Sequence, residues 1–224
     1  NHLDFSIDEG EVVGIIGVSG CGKSTLARLV SGIEKPSSGS LLYQGKTVDF
    51  KKSRKDIQLI LQNPIESFSP RIKIKQFLYE PYHYFYHLNK KEVMTAIKKI
   101  LEQVGMDEAC LGKYPHELSG GQLQRISIAR ALIIQPQLLI CDEITSSLDQ
   151  VIQRDIIELL KQCVYKYHMA ILFVSHDLSL VHEFCHQVLV LNDGKIIEKG
   201  TIQQLYKSEN EVVQNLLKAA YLNG

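Results

Sequence analysis

The sequence predicts an α/β fold in which a core of parallel strands and helices is interrupted by a helical insertion. Short apolar runs rich in β-branched residues occur at 12–16, 57–61, 138–141 and 170–174, as expected for buried strands of a parallel sheet. Helical patterns flank these runs, and a long helical stretch separates the second run from the third. The length of 224 residues suits one large domain of this class.

Taken in chain order, the predicted elements alternate between strands and helices on both sides of the insertion. They are a strand at 12–16, a helix at 23–32, strands at 41–44 and 57–61, a helical stretch from about 74 to 135, a strand at 138–141, a helix at 150–165, a strand at 170–174, a helix from 178, a hairpin at 187–199 and a helix at about 209–222. Asn192-Asp193-Gly194 is the predicted hairpin turn. All six prolines are expected at or beside element boundaries, where a missing N–H matters least.

Composition narrows the function classes. Lys plus Arg and Asp plus Glu are balanced at 25 each, so we expect no nucleic-acid partner. The five cysteines are odd in number and widely spaced, as is typical of unpaired thiols in a reducing compartment. The longest apolar runs are strand-sized, and none is long enough to span a membrane.

A glycine-rich loop follows the first strand. Residues 17–25 read GVSGCGKST, which satisfies GxxxxGK[ST] with a predicted strand before it and a helix after it. Backbone N–H groups and the helix N-terminus would face phosphate oxygens, Lys23 would bridge the β- and γ-phosphates, and Ser24 would ligate Mg²⁺. A chance match in a Gly/Ser turn is the alternative, and the flanking elements argue against it. The expected ATP-binding residues are Gly17, Val18, Ser19, Gly20, Cys21, Gly22, Lys23, Ser24 and Thr25.

Two carboxylates end the apolar run at 138–141. A strand end beside the phosphate loop would place Asp142 at the Mg²⁺ and Glu143 at the attacking water, which it would orient or deprotonate. In isolation, such a pair would more often cap the start of the next helix. The phosphate loop favours the catalytic interpretation.

Residues 118–122 read LSGGQ and continue into Leu-Gln-Arg. Here the chain resembles the ATP-binding cassette (ABC) family, whose signature is LSGGQ followed by QR, and the resemblance covers essentially the whole chain. It implies a single domain over 1–224, with a P-loop NTPase, RecA-like core at 1–62 and about 136–224, an inserted α-helical subdomain at about 63–135 and a small N-terminal antiparallel β part. It also implies that the signature binds the γ-phosphate of ATP held by a second subunit, through Leu118, Ser119, Gly120, Gly121 and Gln122.

Three further motifs of the family are present. Gln62 resembles the Q-loop glutamine that contacts Mg²⁺ and the attacking water, so the expected metal ligands are Ser24, Gln62 and Asp142. The D-loop, which contacts the partner's site, corresponds to Ser147, Leu148 and Asp149. His176 resembles the switch histidine that touches the γ-phosphate. A lone histidine after a strand is usually structural, but this one occurs at the expected place in the series of family motifs, which favours the functional interpretation. The expected catalytic residues are Glu143, His176 and Gln62.

Segments between these motifs resemble one branch of the family. The segment YPHE at 114–117 is similar to the corresponding segment of importers. The segments QNP at 62–64, SPR at 69–71 and EP at 80–81 resemble those of the oligopeptide, dipeptide and nickel importers. The resemblance implies an ATPase that is peripheral at the cytoplasmic face of the cell membrane. It would pair with a second ABC ATPase subunit, as a homodimer or heterodimer, and power uptake of peptides, nickel or metal-chelate complexes. Two transmembrane permease subunits and an extracytoplasmic substrate-binding protein would complete the system.

The aromatic run from Tyr79 to Tyr86 suggests that the surface around 63–85 receives the permeases. Crosslinking from Tyr82 or Phe85 to a membrane subunit would test this. Packing between two helices is the alternative explanation for these side chains.

Other function classes fit less well. Repair-type soluble ABC ATPases carry a long coiled coil between the Q-loop and the signature, whereas only residues 63–117 lie there, and translation-type members carry two cassettes. A regulatory cassette without hydrolysis would not need both Glu143 and His176. A phosphoryl-transfer kinase with a phosphate loop would not be expected to contain the LSGGQ signature.

Two positions depart from the family pattern. The aromatic residue that stacks on adenine is expected upstream of residue 1, because Phe5 in LDFSI resembles a strand core residue. Ile144 replaces the proline that usually follows the catalytic glutamate, which leaves Asp142 and Glu143 intact. Because Cys21 lies inside the phosphate loop, we expect a thiol reagent to inactivate the protein and ATP to protect it.

Overall fold

The computed structural model describes residues 3–86 and 88–221 of the chain. Eight strands lie in this described part: Val12–Gly17 (β1), Leu42–Tyr43 (β2), Lys46–Thr47 (β3), Ile57–Ile60 (β4), Leu138–Asp142 (β5), Ala170–Val174 (β6), Gln187–Asn192 (β7) and Lys195–Gly200 (β8). The eight α-helices of the same part are Lys23–Ser31 (α1), Ile74–Phe85 (α2), Lys90–Gln103 (α3), Gly120–Ile133 (α4), Gln150–Tyr167 (α5), Leu178–Phe184 (α6), Ile202–Leu205 (α7) and Glu211–Tyr221 (α8).

A six-stranded sheet in the order β4-β5-β6-β1-β7-β8 forms the centre of the molecule. The first five strands of this order are parallel, and β8 is antiparallel to β7 at the edge. Successive side chains of a strand point to opposite faces. In β1, Val12 and Ile16 accordingly pack into one hydrophobic cluster, while Val13 and Ile15 pack into a second one with α1. Burial on both faces explains the continuous apolar runs of the sequence.

The helical insertion lies between β4 and β5. It contains α2, α3 and α4, with short 3₁₀ segments at Pro64–Ser67, Glu108–Gly112 and Pro115–Glu117. Asn89 begins α3 with a capping box, since its side chain accepts the N–H groups of Lys91 and Glu92. The α/β class predicted from the sequence is confirmed. The subdivision of the domain at residues 63 and 135 stays a prediction.

Pro81 contradicts the expectation that every proline lies at an element boundary. It is buried in the interior of α2. A proline there cannot donate to the carbonyl four residues earlier, which belongs to Phe77. Arg130 of α4 donates from Nε to that carbonyl at 3.2 Å instead, so a contact between helices replaces the missing bond.

Two hairpins use the same turn geometry. The predicted hairpin near residue 193 is confirmed, with Asp193 and Gly194 in the left-handed region at φ 46° and 70°. Gln44 and Gly45 have the same geometry, at φ 51° and 74°, between β2 and β3. The strand predicted at 41–44 is reduced to the two residues of β2.

The remaining helices follow the predictions closely. The helix predicted at 150–165 extends to Tyr167, where His168 adopts a left-handed conformation and ends it. The predicted C-terminal helix corresponds to α8, and its predicted last residue, 222, lies outside the described residues. Over the described part of the chain, no helix combines the length and apolarity needed to cross a membrane.

Candidate functional site

The predicted site residues that follow β1, β4, β5 and β6 converge because these parallel strands end at one edge of the sheet. The glycine-rich loop follows β1, Glu143 follows β5, and His176 lies two residues beyond β6. Gln62 lies two residues beyond β4. Because β4, β5, β6 and β1 are neighbours, these segments of distant sequence form one row at the edge.

The phosphate loop is held by its own lysine. Lys23 is buried, and its Nζ donates to the carbonyls of Gly17 and Val18 at 2.9 and 3.0 Å. Gly22, at the N-cap of α1, has a φ of 104°. A residue with a side chain would adopt this backbone conformation only at a cost in free energy. Ser19, Gly20 and Cys21 complete the loop before the helix begins at Lys23. The loop therefore bends around the start of α1, whose N-terminal N–H groups favour an anion.

Ser24 and Asp142 place two oxygen atoms beside the loop. The Ser24 hydroxyl donates to Asp142 Oδ1 at 3.1 Å. Asp142 is 3% exposed, and burial raises the pKa of its carboxyl above the ordinary value, although the Ser24 hydrogen bond acts in the opposite direction. A buried carboxylate next to a hydroxyl suits a cation that offsets its desolvation.

Gln62, Glu143 and His176 form a polar cluster. Gln62 Nε2 donates to Glu143 Oε2 at 2.6 Å, and His176 Nδ1 lies 3.7 Å from the same oxygen. His176 is 65% exposed in its side chain and Glu143 only 16%, so the histidine faces solvent while the carboxylate is recessed. The three residues predicted to be catalytic thus lie together, with Gln62 and His176 both beside one carboxylate oxygen of Glu143.

Glu143 has an unusual backbone. Its φ is 49°, in the left-handed region that a non-glycine residue adopts at a cost of about 1–3 kcal/mol. Its N–H donates to Val174 O at 3.0 Å, and its carbonyl accepts from the Ser146 N–H and hydroxyl. These bonds turn the chain sharply after β5 and hold the carboxylate toward Gln62.

The signature lies with the D-loop. Ser119 is the N-cap of α4, where its Oγ accepts the Gln122 N–H at 3.3 Å. A Cβ built on Gly121 would lie 3.3 Å from Leu148 Cδ2, so the helix approaches the D-loop closely there. Leu118, Ser119, Gly120, Gly121 and Gln122 line one cavity of about 650 Å³ together with Ser147, Leu148 and Asp149. No residue of the phosphate loop is among those that line it.

The D-loop is fixed by residues that the motif does not include. Asp149 caps α5 by accepting the Ile152 N–H at 3.0 Å. Gln153 Nε2, one turn into the same helix, donates to the carbonyls of Thr145 and Leu148 at 2.9 and 3.2 Å. Nothing in the sequence spacing indicated Gln153 as a supporting residue.

Burial differs at two positions from what reagents directed at them would need. Cys21 is only 4% exposed, with its thiol packed beside Gly17, so a thiol reagent reaches it only when the loop moves, and inactivation by such a reagent stays a prediction. Within the aromatic run, Tyr82 is 8% exposed and its hydroxyl pKa is raised to about 12 by burial, while Tyr84 is 76% exposed. A crosslinker directed at a membrane subunit therefore belongs at Tyr84 rather than Tyr82.

Comparison with known proteins gives consistent matches. The sequence profile of the family described as "ABC transporter" matches residues 1–146. The nickel import ATP-binding protein NikE of Shigella boydii serotype 4 (strain Sb227) is 39% identical over 230 aligned residues, which cover 99% of this chain and 86% of that protein. The protein of the same name from Escherichia coli (strain K12) is 38% identical over the same shares of both chains.

Solved structures share the fold. The ATP-binding cassette MJ0796, in a dimeric post-hydrolysis state bound to ADP and Pi, superposes with a TM-score of 0.83 at 27% identity and 89% coverage of each chain. The cbiO1 protein from Clostridium perfringens, part of the ABC transporter complex cbiONQ, gives a TM-score of 0.77 at 30% identity, covering 97% of this chain and 89% of that one.

Proposed function

This chain belongs to the ABC transporter family, and on that premise we propose that it hydrolyses ATP at the β1–α1 loop to drive import through membrane subunits. The observation that carries the proposal is the cluster of Gln62, Glu143 and His176 on the same sheet edge as the loop. An acceptor carboxylate with a polar amide and an imidazole beside it suits activation of a water molecule.

Each residue of the cluster has a separate function in this proposal. Glu143 accepts the proton of the attacking water, and Gln62, already donating to Glu143 at 2.6 Å, holds that carboxylate in place. His176 is exposed at the mouth of the site, where it can contact the γ-phosphate. Lys23 neutralises phosphate charge by exchanging its contacts with the Gly17 and Val18 carbonyls for phosphate oxygens.

Mg²⁺ fits the oxygen atoms beside the loop. Mg²⁺ in phosphate sites is commonly held by one or two carboxylates or hydroxyls together with phosphate oxygens. Ser24 and Asp142, whose oxygen atoms are 3.1 Å apart, would hold it with Gln62. The ion supplies charge neutralisation of the phosphates when bound.

A second ATPase subunit would complete the site. The signature lies beside this chain's own D-loop, in a cavity that no phosphate-loop residue lines. The N-terminus of α4, where the signature lies, is separate from the phosphate loop of the same chain. It is therefore available to an ATP molecule held by another subunit, since a helix N-terminus favours anions. The dimeric, ADP-bound cassette among the structural relatives supports this arrangement.

The remaining partners follow from the relatives. Their printed names describe nickel import, so we propose nickel, alone or chelated, as the cargo class, with peptides as the alternative. Two permease subunits would bind the exposed surface around Tyr84, with an extracytoplasmic substrate-binding protein on the opposite side of the membrane. The subunit itself would be peripheral at the cytoplasmic face.

A Glu143→Gln variant tests the proposal. We expect its rate of phosphate release to fall by about 10²-fold or more, because the amide cannot accept the proton, while ATP affinity is retained. Glu158→Gln, an exposed change on α5, is the matched control and should keep wild-type turnover. Unchanged phosphate release by Glu143→Gln would contradict the catalytic assignment.

A further inference from the structure

The turn of the β7–β8 hairpin contacts the phosphate loop. The Gly194 N–H donates to the carbonyl of Cys21 at 2.9 Å. Cys21 is buried, and a Cβ built on its neighbour Gly22 would lie 3.9 Å from Gly194 Cα and from Leu191 Cδ2. The turn therefore packs directly against the half of the loop that leads into α1.

The same hairpin also constrains the start of the loop. Gly17 pairs with Leu191 at the end of β1 and β7. A Cβ built on Gly17 would lie 2.2 Å from the Leu191 carbonyl oxygen, so only glycine fits there. Both ends of the glycine-rich segment thus contact the β7–β8 hairpin, which is more than 150 residues away in sequence.

The hydrogen bond has a directional consequence. In a planar trans peptide, the C=O and the N–H of the next residue point in opposite directions. Because the Cys21 carbonyl points to Gly194, the N–H of Gly22 points away from the hairpin. A loop that binds phosphate needs its N–H groups turned inward, and a reversed peptide would present a carbonyl oxygen to the anion instead.

We propose that the Asp193–Gly194 turn is a positioning element for the phosphate loop, which fixes the Cys21–Gly22 peptide so that the Gly22 N–H faces the phosphates. The proposal rests on the ATP-binding function of that loop. Gly194 makes no contact with nucleotide in this scheme and acts only through the peptide that it holds.

The chain offers a matched control for the test. Gly45 occupies the equivalent position of the β2–β3 turn, at φ 74° against 70° for Gly194, and open space surrounds the Cβ position there. Alanine at either position is strained by the same left-handed backbone. Of these two turn glycines, Gly194 is the one that donates to the phosphate loop.

The experiment compares Gly194→Ala, Gly45→Ala and Gly194→Asn in the whole chain. Affinity for ATP is measured by titration with a fluorescent ATP analogue, KM and kcat by phosphate release, and stability by thermal unfolding. Alanine keeps the backbone N–H, but its strain in the left-handed region should shift the turn and weaken the hydrogen bond to the Cys21 carbonyl. We therefore expect Gly194→Ala to weaken nucleotide affinity and raise KM by about 3- to 10-fold, the equivalent of one hydrogen bond, with kcat nearly unchanged. Gly45→Ala should lose similar stability and keep wild-type affinity. Gly194→Asn should also keep it, because Asn tolerates the left-handed region better than Ala does, so the turn and its N–H stay in place.

The outcomes separate this proposal from the function on which it rests. Equal affinity in Gly194→Ala and Gly45→Ala would overturn the positioning role, and so would a Gly194→Asn variant as weak as Gly194→Ala. Lys23→Ala provides the reference for the loop itself. If Lys23→Ala binds nucleotide as tightly as wild type, the ATP site is wrongly placed and both proposals fail.

Discussion

At the residue scale, Pro81 and Arg130 form a pair in which one residue compensates for the other. Pro81 leaves the Phe77 carbonyl without its helical donor, and Arg130 supplies one from α4. The Arg130 guanidinium also lies 4.6 Å from the centre of the Phe77 ring and 2.5 Å from Glu80 Oε2. A single arginine thereby joins the helix that follows the Q-loop to the helix that begins with the signature.

This pairing makes a thermodynamic prediction. Arg130→Ala should destabilise the protein by about 2 kcal/mol in urea unfolding, because the Phe77 carbonyl loses its donor and the ring loses its cation. The same change in a Pro81→Ala background should cost measurably less, because an alanine at position 81 provides an N–H for that carbonyl. Equal costs in the two backgrounds would contradict the compensation.

Local spacing explains which residues could be predicted. Lys23, Ser24 and Ser119 belong to compact motifs whose geometry is set by a few neighbouring residues, so their positions follow from sequence. Arg130 and Gly194 act on residues that are distant along the chain, and no local pattern identifies such contacts. The burial of Cys21 was not predicted for the same reason, since its cover comes from the packing of the folded loop.

At the element scale, α4 carries an unusual buried face. Gln124 is fully buried, and neither its amide oxygen nor its nitrogen has a hydrogen-bond partner among the described residues. It lies one turn beyond Gly121, on the side of the helix that approaches the D-loop, whereas Arg130 lies on the opposite side. An unpartnered buried amide lowers stability, because its desolvation is not compensated.

Two glutamine substitutions with opposite outcomes follow from this. Gln124→Met should raise the free energy of unfolding by about 1–2 kcal/mol, because an apolar side chain of similar shape removes the desolvation cost. Gln153→Met should lower it by about 1–3 kcal/mol, because the Thr145 and Leu148 carbonyls lose their donor. Thermal or urea unfolding of both variants measures the difference, and destabilisation by Gln124→Met would contradict the assignment.

Elements were predicted best where a pattern was long or chemically specific. The central strands and the Asp-Gly hairpin follow from burial on both faces and from turn chemistry. Pro81 inside α2 was not predicted, because its tolerance depends on a donor from another helix. The two-residue strand β2 was overestimated, since a short apolar run does not specify how far pairing extends.

At the scale of the whole molecule, the strand order brings together the three residues proposed to be catalytic and leaves the signature elsewhere. The alternation of strands and helices could predict the parallel sheet, and the glycine-rich motif could predict which strand edge binds phosphate. The distance between the loop and the signature could not be read from spacing, because it depends on how the inserted helices pack against the core.

The cavity shared by the signature and the D-loop has a consequence for mixtures of subunits. If each ATP site takes its loop from one copy and its signature from another, Lys23→Ala and Ser119→Arg each inactivate both sites of a pair with two-fold symmetry. In a pair that contains one copy of each variant, both substitutions fall in the same ATP site, and the other ATP site has neither. Two inactive preparations, combined in equal amounts and allowed to exchange subunits, should therefore recover about a quarter of wild-type phosphate release. A mixture that stays inactive would show that two copies of this chain do not complement each other, as expected if its natural partner is a different ATPase.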